Sequence, residues 1–312
     1  MYNSPMRTIS CHQWIALVIG SCVGATASAQ TDNGFVASLH LDLGAALPSL
    51  VGATLVQDVP PVEIASTPAP QDAGALARQA QNPVADLISL PLQNNTSFNV
   101  GLGNDVRNVL NIQPVIPVTV GDWNLINRII MPVVYQPALA PGLTSEFGLG
   151  DTNYTLFFSP AESQSIIWGV GPSFDIPTAT DDALGTGQWN LGPSVVVLAM
   201  PGPWVIGGIW QQLWTIGGDS ARPDVNRMLF QYFVNYNLDD GWYLTSAPII
   251  TADWNAPSGE DWVVPFGGGF GKIFRIGDQA MNASFQAFYN VVDTTASGDW
   301  SIRFQLQFLF PK

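Results

Sequence analysis

The residue pattern points to an all-β protein: a 12-stranded antiparallel transmembrane β-barrel with a short N-terminal helical segment. Three observations carry this expectation. Residues 300–310 alternate with period two, Trp300, Ile302, Phe304, Leu306, Phe308 and Phe310 on one face and Ser301, Arg303, Gln305 and Gln307 on the other. An apolar face for lipid and a polar face for a lumen is the pattern of an outer-membrane strand. From about residue 91 onward, tight turns and longer loops alternate along the chain. Finally, hydrophobic residues make up 47% of the sequence, yet no later run approaches the roughly 18 apolar residues that a spanning helix needs.

Residues 1–29 read as an export signal. Arg7 supplies the positive region, Trp14 to Gly20 the apolar stretch and Ala27-Ser28-Ala29 the small-residue cleavage site. A competing site, Ile19-Gly20-Ser21-Cys22, resembles a lipoprotein box and would leave Cys22 acylated. Both cysteines, Cys11 and Cys22, fall in this leader, so cleavage after Ala29 leaves His40 as the single histidine and no cysteine. That excludes a disulfide framework and a Cys/His metal cluster, and no cofactor or metal is expected.

Residues 30–71, rich in Ala, Pro and Thr, are expected to form a flexible periplasmic segment. Residues 72–90 show helical spacing around Pro83, with Leu76, Ala77 and Ala80 before it and Val84, Leu87 and Ile88 after it. Asp72 is a candidate N-cap, and Pro83 should kink or restart the helix. The segment is either an amphipathic lead-in beneath the barrel or a plug within it.

The barrel is expected over 91–312, with strands at 91–101, 107–119, 123–136, 151–159, 164–176, 188–200, 203–215, 225–237, 242–254, 261–274, 279–291 and 299–311. Tight turns fall at Gly121-Asp122, Pro160 to Ser163, Pro201-Gly202-Pro203, Asp239-Asp240-Gly241 and Gly277-Asp278. Longer connections fall at 102–106, 137–150, 177–187, 216–224, 255–260 and 292–298. Short periplasmic turns and long outer loops are how an even-stranded barrel is organised. Trp123, Trp204 and Trp242 follow short turns, Trp189, Trp262 and Trp300 follow long loops, and Trp214 and Trp254 precede them. Indole rings prefer the water–lipid interface, so two aromatic girdles result. Pro114, Pro117, Pro132, Pro248 and Pro265 each remove a ladder donor and suggest bulges or frayed strand ends near the interfaces.

Several segments carry a family resemblance. Asn82-Pro-Val-Ala-Asp-Leu-Ile-Ser, Leu92-Gln-Asn-Asn, Asn111-Ile-Gln-Pro-Val-Ile-Pro, Gly148-Leu-Gly-Asp-Thr, Gly169-Val-Gly-Pro, Pro177-Thr-Ala-Thr-Asp and Gln307-Phe-Leu-Phe-Pro-Lys form a set. Over roughly 73–312 this set resembles a bacterial outer-membrane β-barrel family that often bears the label "neuromedin U" and is grouped with transporters of the phenol meta-pathway type. The resemblance implies an outer-membrane barrel with a transport role, and it supplies no substrate and no catalytic residue. The ending Phe310-Pro311-Lys312 departs from the terminal aromatic residue usual for barrels.

The chemistry-bearing residues support a lumen better than an active site. General-base activation of a serine needs an imidazole in reach, and His40 lies far from any expected strand. The pairs Asp181-Asp182, Asp239-Asp240 and Glu260-Asp261 sit in or beside turns and read as solvated turn residues. The run Gly267 to Gly271 lacks the Lys-Ser/Thr and the following helix of a phosphate loop. By parity, Arg227, Gln231, Asn282, Ser284, Gln286, Arg303, Gln305 and Gln307 should line the lumen, with Arg128 and Asp175 joining them.

With 24 acidic against 10 basic residues and a net charge of −14, nucleic acid is not an expected partner. The expected partners are outer-membrane lipid, the barrel-assembly machinery of a Gram-negative cell and a small solute. The expected function is a non-enzymatic passage for small hydrophobic or aromatic molecules. Two alternatives remain: a structural or surface-interaction barrel acting through loops 137–150 and 177–187, and a barrel hydrolase dependent on His40.

Overall fold

The computed structural model describes residues 73–311 apart from 163 and 164. The expected signal segment 1–29 with Cys22, the segment 30–71 with His40, and the candidate cap Asp72 lie outside the described residues.

Helix α1 (Ala73–Ala80) leads into the first strand, β1 (Ile88–Val100). β2 runs in two pieces, Asp105–Ile112 and Val115–Val120. β3 is Trp123–Gln136, and β4 again has two pieces, Glu146–Leu149 and Thr152–Pro160. β5 (Ile166–Ile176), β6 (Gln188–Ala199), β7 (Trp204–Gly218) and β8 (Asn226–Asn237) follow. β9 is divided into Trp242–Ser246 and Ile249–Asp253. β10 (Trp262–Ile276), β11 (Gln279–Val292) and β12 (Trp300–Phe310) complete the wall.

Each strand pairs antiparallel with its successor. β12 returns to β1, with Ile88 opposite Phe310 and Phe98 opposite Trp300. The result is a closed 12-stranded barrel. Closure satisfies the edge groups of β1 and β12, which is what allows strands to stand in a medium without water. No helix among the described residues is long and apolar enough to cross a membrane. The tight turns follow from local chemistry: Gly121 and Gly277 begin two-residue connections with φ of 56° and 59°, a region that L side chains rarely occupy.

Four boundaries differ from the sequence expectation by about three residues or more. The helix ends at Ala80 and residues 88–90 already belong to β1, whereas 72–90 was expected as one helical segment. The reason is local: the Asn82 carboxamide accepts a hydrogen bond from the Val84 amide at 3.0 Å, and this turn before and through Pro83 replaces the helix. β7 extends to Gly218 and β4 begins at Glu146, so two outer loops are shorter than their composition suggests. Ladder pairing with a neighbour, Glu146 opposite Gln136 and Gly218 opposite Gln188, outweighs the weak strand propensity of these stretches.

The strand prolines are the second correction. Pro114 and Pro248 lie at mid-wall interruptions rather than near the interfaces, whereas Pro265 sits at a register shift near the start of β10, in line with the expected bulge. Pro117 and Pro132 remain inside continuous strands. The interruption at Pro248 leaves the backbone of Ala247 without its ladder partners, and lumen side chains replace them. The Ala247 amide donates to Gln286 Oε1 at 3.0 Å, and its carbonyl accepts from Arg303 at 2.7 Å and from Gln231 at 3.3 Å.

Burial is inverted relative to a protein in water. Phe270, Phe285 and Phe304 are exposed on the outer face, while Asn282, Ser284, Gln286 and Gln307 are buried within. This outer belt is the surface presented to lipid. A Phe304→Arg variant is therefore expected to lose about 2–4 kcal/mol of barrel stability in a bilayer. Urea unfolding in lipid vesicles measures this. A loss below 1 kcal/mol would mean that Phe304 is not at membrane depth.

Candidate functional site

The interior is built by the inward parity of the strands together with the segment that precedes them. On the inner wall at the short-turn end, Tyr243, Ile273, Ala280 and Leu309 form an apolar cluster with Leu76, Ala77 and Leu87. A second cluster joins Val84 to Ile126, Phe157, Val196, Leu198, Val205, Ile209 and Phe233. Arg78 ties α1 to the β6–β7 turn, donating to the Met200 carbonyl at 2.6 Å and to the Gly202 carbonyl. The Gln81 carboxamide pairs with that of Asn237 at the end of β8, at 2.9 Å and 3.2 Å. Residues 73–87 thus occupy the short-turn end of the lumen.

These contacts explain residues that break the inside-polar rule. Phe233 and Leu229 in β8 and Phe288 in β11 share the parity of polar neighbours. Phe233 packs in the cluster of Val84, and Leu229 lines the lumen. Phe288 lies under the Arg303 guanidinium, 5.0 Å from ring centroid to carbon.

Above residues 79–87 lie two consecutive cavities. The lower, of about 190 Å³, is floored by Gln81, Asn82 and Pro83 and walled by Asn282, Ser284, Gln286, Arg303, Gln305 and Gln307. The upper, of about 470 Å³, is lined by Arg107, Asn111, Asn153, Gln211, Arg227 and Thr251 together with Ile130, Phe157, Leu213 and Leu229. Gln93, Gln113, Arg128, Ile209 and Gln231 line both cavities and so form the neck between them. Arg128 donates to Gln113 Oε1 of the neighbouring strand at 3.2 Å.

Every residue expected at the lumen except Asp175 lines a cavity. Arg128 and Gln231 line both, Arg227 the upper, and Asn282, Ser284, Gln286, Arg303, Gln305 and Gln307 the lower. Asp175 lines neither. It is 1% exposed and sits behind Arg227, because its carboxylate is drawn into a polar cluster of the wall. Its Oδ2 accepts from Arg227 at 2.5 Å and from Asn190 at 3.1 Å, and its Oδ1 accepts from Asn153 at 2.9 Å. Thr215 extends the chain to Asn190 at 3.0 Å. Nearby, Thr155 and Ser173 share a hydrogen bond at 2.6 Å, and Gln211 donates to Ser173.

Arg107, Gln93 and Gln113 were not anticipated. On β2 Arg107, Asn111 and Gln113 do share one parity, but Asn108 sits on the other, so neither face is purely apolar. Asn108 is satisfied outside the lumen, bonding Asn94 and Thr96 at 2.8–3.0 Å. The eight girdle tryptophans lie on the outer parity near strand ends. Trp123, Trp189, Trp204, Trp214, Trp242, Trp254 and Trp300 are exposed, and Trp262 is half-buried, edge-on to Trp254 at 5.5 Å.

The closed wall has a solved parallel. A crystal structure of an outer membrane channel from Pseudomonas putida F1 superposes with a TM-score of 0.57 at 15% identity, over 73% of this chain and 97% of that one. The chain has the fold of an outer-membrane β-barrel. More distant likenesses include the outer membrane phospholipase of Salmonella typhi (TM-score 0.39, 13% identity, 76% of this chain and 96% of that one). The toluene transporter TodX of Pseudomonas putida is another (TM-score 0.34, 9% identity, 75% of this chain and 92% of that one). No known family profile and no curated protein matches the sequence.

Proposed function

We propose that this chain is an outer-membrane channel for small solutes, hydrophobic or aromatic ones among them. The observation that carries the reading is the pair of cavities stacked along the inside of one closed wall and joined at a shared neck. A barrel filled only for stability would bury interlocking side chains there. Here the walls keep polar side chains around space, the arrangement with which rings of side chains set selectivity. In this reading residues 1–29 direct export, the barrel-assembly machinery inserts the wall, and residues 73–87 close the periplasmic mouth. Membership in the family that the sequence motifs resemble belongs to the same reading, as does the absence of enzymatic activity. The sequence has only two histidines, His12 and His40, and both lie outside the described residues.

The test is single-channel recording in planar bilayers together with uptake of small aromatic solutes by proteoliposomes. Discrete conductance steps and uptake above protein-free vesicles are expected. Correctly folded protein that shows neither would remove the channel reading. The alternative of a purely structural barrel has one observation in its favour: Arg303, Gln286 and Gln231 are all committed to the backbone of Ala247.

A further inference from the structure

The residues lining the two cavities include four arginines, Arg107, Arg128, Arg227 and Arg303, and neither a carboxylate nor a lysine. The whole chain, by contrast, carries a net charge of −14. Positive charge is therefore concentrated inside the wall. Two of the four guanidinium groups are already engaged. Arg227 is paired with Asp175, and Arg303 donates to Asn95 at 2.8 Å and to the Ala247 carbonyl at 2.7 Å. The other two are less engaged, and like Arg303 neither meets a counter-charge among the described residues. Arg107 has no hydrogen-bond or ion-pair partner among the described residues, and its Nε is buried without an acceptor. Arg128 has one neutral partner, the Gln113 carboxamide, and no ion pair among the described residues. A guanidinium held away from bulk water without a counter-charge is costly, and a carboxylate is its natural fork-shaped complement.

The two stand at different levels of the same cavity. Arg107 lies near the loop end of β2, opposite Ser97. Arg128 lies opposite Val115, eight residues further along β2, at the neck. Strand rise puts them about 25 Å apart along the wall, so one carboxylate cannot bridge them. The same cavity also carries an apolar lining, Ile130, Phe157, Ile209 and Leu213.

We propose that the upper lumen binds small monocarboxylates with an apolar body, Arg107 and Arg128 serving as two successive stations for the carboxylate and the apolar wall carrying the rest. This rests on the channel reading and names its solute class. A size of about 470 Å³ suits such a molecule, since small-molecule sites run from roughly 300 to 1,000 Å³. Multiple stations let an anion enter and still leave. The exposed carboxylates of the outer loops, such as Asp181 and Asp182, oppose an approaching anion only within the ~8 Å screening length of physiological salt, whereas the enclosed arginines are screened far less.

The experiment is isothermal titration of the full-length protein in detergent with benzoate, benzamide and acetate, alongside reversal potentials across a KCl gradient in planar bilayers. Benzoate is expected to bind at least about tenfold more tightly than benzamide, the value of one charge-assisted contact. The double variant Arg107→Gln/Arg128→Gln should lose that preference, and Arg107→Lys/Arg128→Lys should retain part of it. Removing two uncompensated charges should leave the barrel folded, which its resistance to heating in detergent reports. Benzamide binding equal to benzoate, a double variant that still prefers benzoate, or no benzoate binding at millimolar concentration would each overturn the proposal. Acetate binding as tightly as benzoate would remove its apolar half. If currents flow and benzoate does not bind, the site fails and the channel stands. If benzoate binds and neither ions nor solutes pass, the channel fails and the site stands. Reversal toward the anion potential, abolished in the double variant, links the two.

Discussion

Deleting residues 73–85 is expected to raise single-channel conductance on the order of tenfold, since twelve strands enclose a wider lumen than the roughly eight whose interior side chains alone fill, and this segment packs at the short-turn end. Leu76, Val84 and Leu87 are each at most 4% exposed and seat the segment in two apolar clusters. Burial of each contributes about 1.5–3 kcal/mol relative to exposure. Arg78 and Gln81 add hydrogen bonds at the rim, to the β6–β7 turn and to Asn237. A point version keeps the chain length unchanged: Leu76→Asp combined with Val84→Asp puts two carboxylates into apolar clusters, and the segment should leave rather than bury them. Both variants should still migrate as folded barrels in unheated gels, because the strand ladder does not include residues 73–87. Conductance no higher than that of the unaltered protein, in barrels that remain folded, would show that this segment does not close the passage.

Arg227→Ala should be among the most destabilising single changes in the wall, by about 3–5 kcal/mol. The pair is lopsided: the Asp175 side chain is 2% exposed, whereas that of Arg227 is 45% exposed and reaches the cavity. Removing the arginine strands a buried carboxylate with only Asn153 and Asn190 to serve it. Removing the carboxylate instead leaves a guanidinium that lumen water can solvate. Asp175→Asn should therefore cost clearly less than Arg227→Ala, and the double change Asp175→Asn/Arg227→Gln less than Arg227→Ala alone. Urea unfolding in lipid vesicles, followed by tryptophan fluorescence, gives all three values. Equal costs for the two single changes would contradict this asymmetry of burial.

The wall was legible because its signals are local. Strict alternation in residues 300–310 and 279–291, and turn residues such as Gly121-Asp122 and Gly277-Asp278, act over two to ten positions and survive in any context that supplies lipid on one side. The seams at Pro114 and Pro248 were visible as prolines, but their consequence was not. That Ala247 would draw on Gln286, Arg303 and Gln231 depends on three strands distant in sequence. For the same reason parity marked Arg303, Arg227 and Arg128 as inward but could not say which of them was engaged, and it missed Arg107. Whether an inward arginine is engaged is decided by what stands across the lumen.

Residue order alone was enough to establish an antiparallel wall with a greasy exterior, because strand periodicity and turn chemistry are short-range. Which end is filled, where the interior narrows and which guanidinium groups lack a counter-charge emerged only on closure. Closing the sheet gathers Val84 and Phe233 into one apolar cluster and sets Arg303 against Ala247 and Asp175 against Arg227, positions 52 to 149 residues apart that no local pattern brings together.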